Sequence, residues 1–192
     1  MNLNIEKIRM PVALIGLMLA TRFHHFGGAL SLPDASLAAF FFAGMWMRTW
    51  KLFVLLLIEA GLIDYLAITQ FGVSDYCISS AYVFLIPTYA CLWFAGRYCA
   101  RYKTLKLTEL LSQFSVLFIA TSAAFALSNG IFYLLSGKFS DVNWLEYSTR
   151  VAKYYPSYLG YTLVYAVVIF ASVKAIKQLL STLQTARTSK IH

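Results

Sequence analysis

Two adjacent imidazoles (His24 and His25), one thiol (Cys77), two carboxylates (Asp64 and Asp75), two phenols (Tyr65 and Tyr82) and one guanidinium (Arg150) stand where long apolar stretches begin or end. Each alone is an ordinary interfacial residue; together they fall on one face under a single arrangement of those stretches. One thiol with one or two imidazoles on separate segments is too few for a structural zinc site, which takes four ligands, commonly in C-x-x-C or H-x-x-x-H pairs. It suffices for a metal already held by a macrocycle, where only axial positions are open and a soft thiolate with a nearby imidazole supplies them. Haem and cobalamin are the two obvious metals of that kind.

Cys77 is the sharpest member. Cys91 and Cys99 lie within or at the end of an apolar stretch, where a small apolar side chain is the default reading. Cys77 instead stands in Asp75-Tyr76-Cys77-Ile78-Ser79, read as a loop leading into a helix. A helix N-terminus favours the thiolate, the form that attacks electrophiles and binds metals. The bland alternative is a passive thiol in an outer loop.

The elements that must position these groups are membrane helices. Of 192 residues, 60% are hydrophobic and only 12% charged, with a mean hydropathy of +0.67, which a water-soluble domain of this size cannot accommodate. The apolar stretches predict an all-α membrane protein of one domain with six transmembrane helices, over approximately 10–26, 33–48, 51–68, 78–97, 107–128 and 156–177. A crossing needs about 20 apolar residues, and the second stretch is short, so a tilted or partly re-entrant helix there, or five spans in all, is the alternative count. The first is read as a retained helix and not a cleaved signal peptide, because Arg22, His24 and His25 follow it where small residues would be expected.

Basic residues in short loops stay cytoplasmic. With the N-terminus inside, twelve of the sixteen lie inside, and only Arg22, Lys138, Arg150 and Lys153 lie outside. Both termini are then cytoplasmic, and the candidate site faces outward. The net charge of +8 is thereby topology, and no basic stripe outside the membrane flanks suggests nucleic acid. The chain has no G-x-x-x-x-G-K-[ST], H-E-x-x-H or G-x-S-x-G, so nucleotide hydrolysis, zinc proteolysis and lipase-like hydrolysis are not indicated.

Tyr154, Tyr158, Tyr161 and Tyr165 recur at helical spacing and are read as an interfacial aromatic belt. Tyr82, close in sequence to Cys77, is the one aromatic promoted to the site. Glu59 falls in mid-span, either hydrogen-bonded in the bundle or part of a partner interface. Asp64, nearer the outer face, is expected to accept from ligand amides or to pair with Arg150.

In the segments Arg22-Phe23-His24-His25-Phe26-Gly27-Gly28, Gly61-Leu62-Ile63-Asp64-Tyr65 and Ser74-Asp75-Tyr76-Cys77 the chain resembles the substrate-binding S-components of energy-coupling factor (ECF) vitamin transporters, and within them the solitary vitamin B12-specific group, BtuM. The resemblance implies a bacterial inner-membrane subunit that captures cobalamin or cobinamide at its periplasmic face and has no cofactor of its own. It implies Cys77 as axial thiolate to the corrin cobalt, with His25, Asp64, Tyr82 and Arg150 lining the pocket and His25 as a further candidate cobalt ligand. Thiolate coordination also suggests loss of cyanide from cyanocobalamin at Cys77. The partner implied is an ECF-type energising module of coupling subunit and ATPases. The family's A-x-x-x-A docking pair on the first helix is absent; Ala13 is followed by Leu17, and the small pair is Gly16 and Ala20, which still allows close helix approach.

Two readings of other classes stand beside it. A membrane haem or quinone oxidoreductase subunit would also use His and Cys near a membrane face, although adjacent His24 and His25 do not suit a bis-His haem. A structural membrane subunit would bind no ligand and leave Cys77 dispensable.

Overall fold

Strongly apolar stretches without a period-two alternation favour helices over strands, and in the computed structural model every regular element among the described residues is helical. It describes residues 3–22, 32–47, 49–76, 78–102 and 106–188, with the side chains of 3–9, 177 and 184–188 left out. His24, His25 and Cys77 therefore lie outside the described residues. Six α-helices follow in order: α1 (Leu3–Arg22), α2 (Ser36–Phe42), α3 (Trp50–Phe71), α4 (Leu85–Cys99), α5 (Leu107–Leu135) and α6 (Trp144–Thr188). A π-helical turn, Ala43–Met47, prolongs α2, and a 3-10 turn, Ser80–Phe84, precedes α4.

Six helices answer six apolar stretches, but their lengths do not describe six equal crossings. Among the described residues, three are long and apolar enough to span a membrane: α3, α5 and the Trp144–Leu183 part of α6. At about 1.5 Å per residue, the 22 residues of α3 cover roughly 33 Å, close to the hydrocarbon thickness. Their outward side chains are apolar, among them Ile58 and Leu62 on α3, Ile119 on α5 and Val164 and Val168 on α6. Such a surface suits hydrocarbon and opposes water.

The short second stretch becomes the centre of the bundle. Every residue of α2 is buried, with Phe40 stacked on Tyr89 at 4.3 Å and Phe42 set edge-on to Phe170 at 5.0 Å. Two glycines let α2 and α4 approach closely. A Cβ at Gly44 would strike the Trp93 carbonyl, and one at Gly96 would strike the Phe41 carbonyl. The helices thus meet backbone to backbone, the geometry that small residues permit in membrane interfaces.

Helix boundaries also differ from expectation. Pro87 sits in the first turn of α4, where its missing N–H breaks no helical hydrogen bond, and the predicted single helix over 78–97 divides into a 3-10 turn and an α-helix. α6 begins twelve residues before position 156 and runs through Pro156. Its start is held by Asn143, whose Oδ1 accepts the Glu146 N–H at 2.7 Å, a side-chain cap that makes the proline unnecessary as a starter. α3 ends at Gly72, in the left-handed region at φ 64°, where glycine lacks the Cβ that other residues would strain.

α3 and α4 touch at one end, with Trp50 and Trp93 4.4 Å apart. Towards the other end they part around an open, mostly apolar cavity of about 690 Å³, lined by Ile58, Gly61, Ile78, Ser79, Tyr82 and Tyr89 among others.

Candidate functional site

The side chain that organises this end is Arg22, the last residue of α1. It is 6% exposed, and a guanidinium so buried needs opposite charge and acceptors to offset its lost hydration. Its Nε and Nη2 donate to the two oxygens of Asp64, at 2.8 and 2.6 Å, a bidentate fork. Nη1 donates to Asp34 at 3.2 Å, to the Ser36 hydroxyl at 3.0 Å and to the Tyr89 hydroxyl at 2.7 Å. Tyr82 completes the group, donating to Asp64 Oδ2 at 2.7 Å.

Local structure explains each position. Asp64 lies on the buried stripe of α3 with Ala60, Ile63 and Ala67, spaced to share one helix face. Asp34 precedes α2 and turns the chain into it, accepting the Ser36 N–H at 2.9 Å and the Ser36 hydroxyl at 2.6 Å, an Asx-type turn. Tyr82 and Tyr89 are seven residues apart and converge on the Arg22–Asp64 pair, Tyr82 on Asp64 from the 3-10 turn and Tyr89 on Arg22 from α4. One guanidinium therefore ties α1, α2, α3, the 3-10 turn and α4 together.

Of the predicted site residues, Asp64 and Tyr82 are brought into direct contact. Arg150 is not brought to Asp64: the expected alternative pairing is replaced by Arg22–Asp64, because Arg22 reaches Asp64 from the adjacent helix α1. Arg150 lies among aromatic rings, 4.6 Å from the centroid of Phe139, 5.3 Å from that of Tyr154 and 5.8 Å from that of Phe132. Such placement is favourable for a cation over π faces. Its Nε is buried with no hydrogen-bond partner among the described residues, and its neighbours Glu146, Thr149, Lys153 and Tyr154 line a hollow of about 300 Å³ with it. The two groups occupy the same end of the bundle. Ser80 donates to the Leu135 carbonyl at 2.6 Å, and Tyr76 packs on Phe132 at 5.8 Å, joining the turn before α4 to the end of α5.

His24, His25 and Cys77 lie outside the described residues, so their contacts are not part of this geometry. The helix start invoked for Cys77 is later than expected. Ser79 caps the 3-10 turn, its hydroxyl accepting the Ala81 N–H at 3.3 Å, which places that start beyond Cys77 in the chain; a helix dipole acts mainly within its own first turn. Among the described residues no group of three or more His, Cys, Asp or Glu is placed to hold an ion. Gly16 and Ala20 both lie on an exposed face of α1, and a Cβ on Gly16 would meet nothing within 4 Å. Among the described residues, both buried carboxylate oxygens of Glu59 have no hydrogen-bond partner, so none of these residues supplies the hydrogen-bonded alternative. The tyrosine row on α6 divides: Tyr154 and Tyr161 are exposed, whereas Tyr165 donates to the Pro33 carbonyl at 2.6 Å and Tyr158 packs on Phe125 at 5.2 Å.

Arg22, Asp34, Ser36 and Tyr89 are the residues that sequence reasoning left out of the site. Arg22 was read as an outer-loop charge that sets topology. The signal that finds Arg22 and Asp34 is their place at the ends of consecutive apolar helices, on the same side as Asp64, where opposite charges attract strongly in a low dielectric. Comparison of the chain with protein-family models finds no match, and comparison with curated proteins finds none either.

Proposed function

We propose that this chain is the substrate-binding membrane subunit of a corrinoid uptake system in the bacterial inner membrane, with six crossings and both termini cytoplasmic. It takes cobalamin or cobinamide from the periplasmic side. Cys77 supplies an axial thiolate to cobalt, His25 stands by as a second candidate ligand, and Asp64, Tyr82 and Arg150 contact the periphery of the macrocycle. The exposed Gly16 and Ala20 face docks the coupling subunit of an ECF-type energising module. The observation that carries this reading is the meeting of Asp64 and Tyr82 in one buried polar group beside a cavity, at the end of the bundle that also holds Arg150.

A thiolate at cobalt also suggests a reaction. Sulfur donates strongly, replaces the lower benzimidazole and weakens the opposite cobalt–cyanide bond. Cyanide then leaves as CN⁻ with the bonding electron pair, water takes its place, and cobalt keeps its oxidation state.

The first test is the ultraviolet-visible spectrum of protein purified from cells supplied with cobalamin, beside that of Cys77→Ala. A bound corrinoid whose cobalt bands move when the thiol is lost is the expected result. A colourless protein overturns the corrinoid reading, and identical spectra overturn the axial thiolate. In Cys77→Ser, release of cyanide from cyanocobalamin is expected to fall to the rate without protein; an unchanged rate removes Cys77 from the chemistry.

A further inference from the structure

An ionised carboxylate has no hydrogen to give. Asp64, forked by Arg22 at both oxygens, can only accept, so the 2.7 Å bond to Tyr82 commits the phenol hydrogen to Asp64 Oδ2. The Tyr82 oxygen is left with lone pairs alone. Tyr82 is half-buried and lines the 690 Å³ cavity between α3 and α4. We infer that Arg22, acting through Asp64, makes Tyr82 an acceptor-only edge of that cavity, which selects ligands presenting N–H donors, carboxamides over carboxylates.

The charge around Tyr82 acts in the same direction. Among the described residues, one guanidinium, Arg22, is paired with two carboxylates, Asp34 and Asp64, so an anionic ligand group beside Tyr82 would be desolvated against carboxylate charge. A carboxamide of the same shape brings two N–H donors and no charge. Arg22 is the positioning residue in this scheme: its fork fixes the carboxylate plane, and with it the direction of the Tyr82 bond. A lysine supplies the charge without the fork.

This inference rests on the corrinoid reading for its ligand, since corrinoids carry several peripheral carboxamides, and it is tested with the full-length protein in detergent. Cobinamide is titrated beside the set of its mono-acids, in each of which one carboxamide has been hydrolysed. At least one mono-acid is expected to bind about tenfold more weakly than the parent, the cost of leaving polar groups unpaired in a buried site. In Tyr82→Phe that discrimination is expected to shrink to within about twofold. Equal affinity for the parent and every mono-acid, or discrimination unchanged in Tyr82→Phe, overturns the inference.

A ligand-free measurement separates its failure from that of the corrinoid reading. The Raman difference spectrum of wild type minus Tyr82→Phe isolates one tyrosine Fermi doublet, whose intensity ratio distinguishes a donating phenol from an accepting one. A donor signature in wild type that weakens in Arg22→Lys is expected. An accepting signature in wild type overturns the polarity whatever the ligand, whereas a donor signature with no cobinamide binding overturns the corrinoid reading and leaves the acceptor edge standing.

Discussion

Arg22→Met is expected to lower the free energy of unfolding by about 3–5 kcal/mol, the range found when one partner of a buried ion pair is removed. The substitution keeps a long apolar side chain at the end of α1, so the loss comes from the stranded charges. Among the described residues, Asp64, 4% exposed, would keep the Tyr82 hydroxyl alone as donor, and Asp34 would lose its guanidinium. Removing both ends should behave differently: Arg22→Met with Asp64→Leu leaves no uncompensated charge at that contact and is expected to recover a large share of the loss. Unfolding in mixed micelles, followed by helical circular dichroism across this double-mutant cycle, measures the coupling directly. A single-mutant cost below about 1 kcal/mol would show that water reaches the pair and that Arg22 does not hold the five elements together.

The second large effect concerns Gly44 and Gly96. Alanine is the better helix former by about 1 kcal/mol, so propensity alone predicts that Gly44→Ala and Gly96→Ala stabilise the protein. The tertiary contact predicts the reverse. Each new methyl would strike a carbonyl of the facing helix, and backbone cannot swing aside as a flexible side chain can. α2 and α4 would have to separate, opening the stack of Phe40 on Tyr89 and the packing around Trp93. Each substitution is expected to cost about 3 kcal/mol, at the upper end for overpacking. Gly160→Ala is the internal control, because a Cβ there meets nothing within 4 Å; it should be neutral or stabilising by up to about 1 kcal/mol. Thermal unfolding of the three variants side by side decides the matter, and equal behaviour of all three would contradict the close approach.

What the amino-acid sequence determined by itself is the class of element and its solvent. Apolar composition and unbroken hydrophobic stretches specify helices with apolar outer faces, because hydrocarbon length and backbone hydrogen bonding act on each stretch separately. Two members of the buried polar group were legible singly: Asp64 because a carboxylate within or beside an apolar stretch is costly unless used, and Tyr82 because it stands close in sequence to Cys77. Their mutual contact, and the partner that holds them, were not. Arg22 looks like any basic residue flanking a helix until α1, α2 and α3 converge and withdraw it from water, and only then does its charge become structural. Likewise the second stretch reads as a short crossing, yet its seven buried residues become the core because Gly44 and Gly96 allow the backbones of two helices to meet. Periodicity reports which face of one helix is apolar; which helix it meets, and which charge it finds there, depends on packing between segments far apart in the chain, and that only the tertiary structure decided.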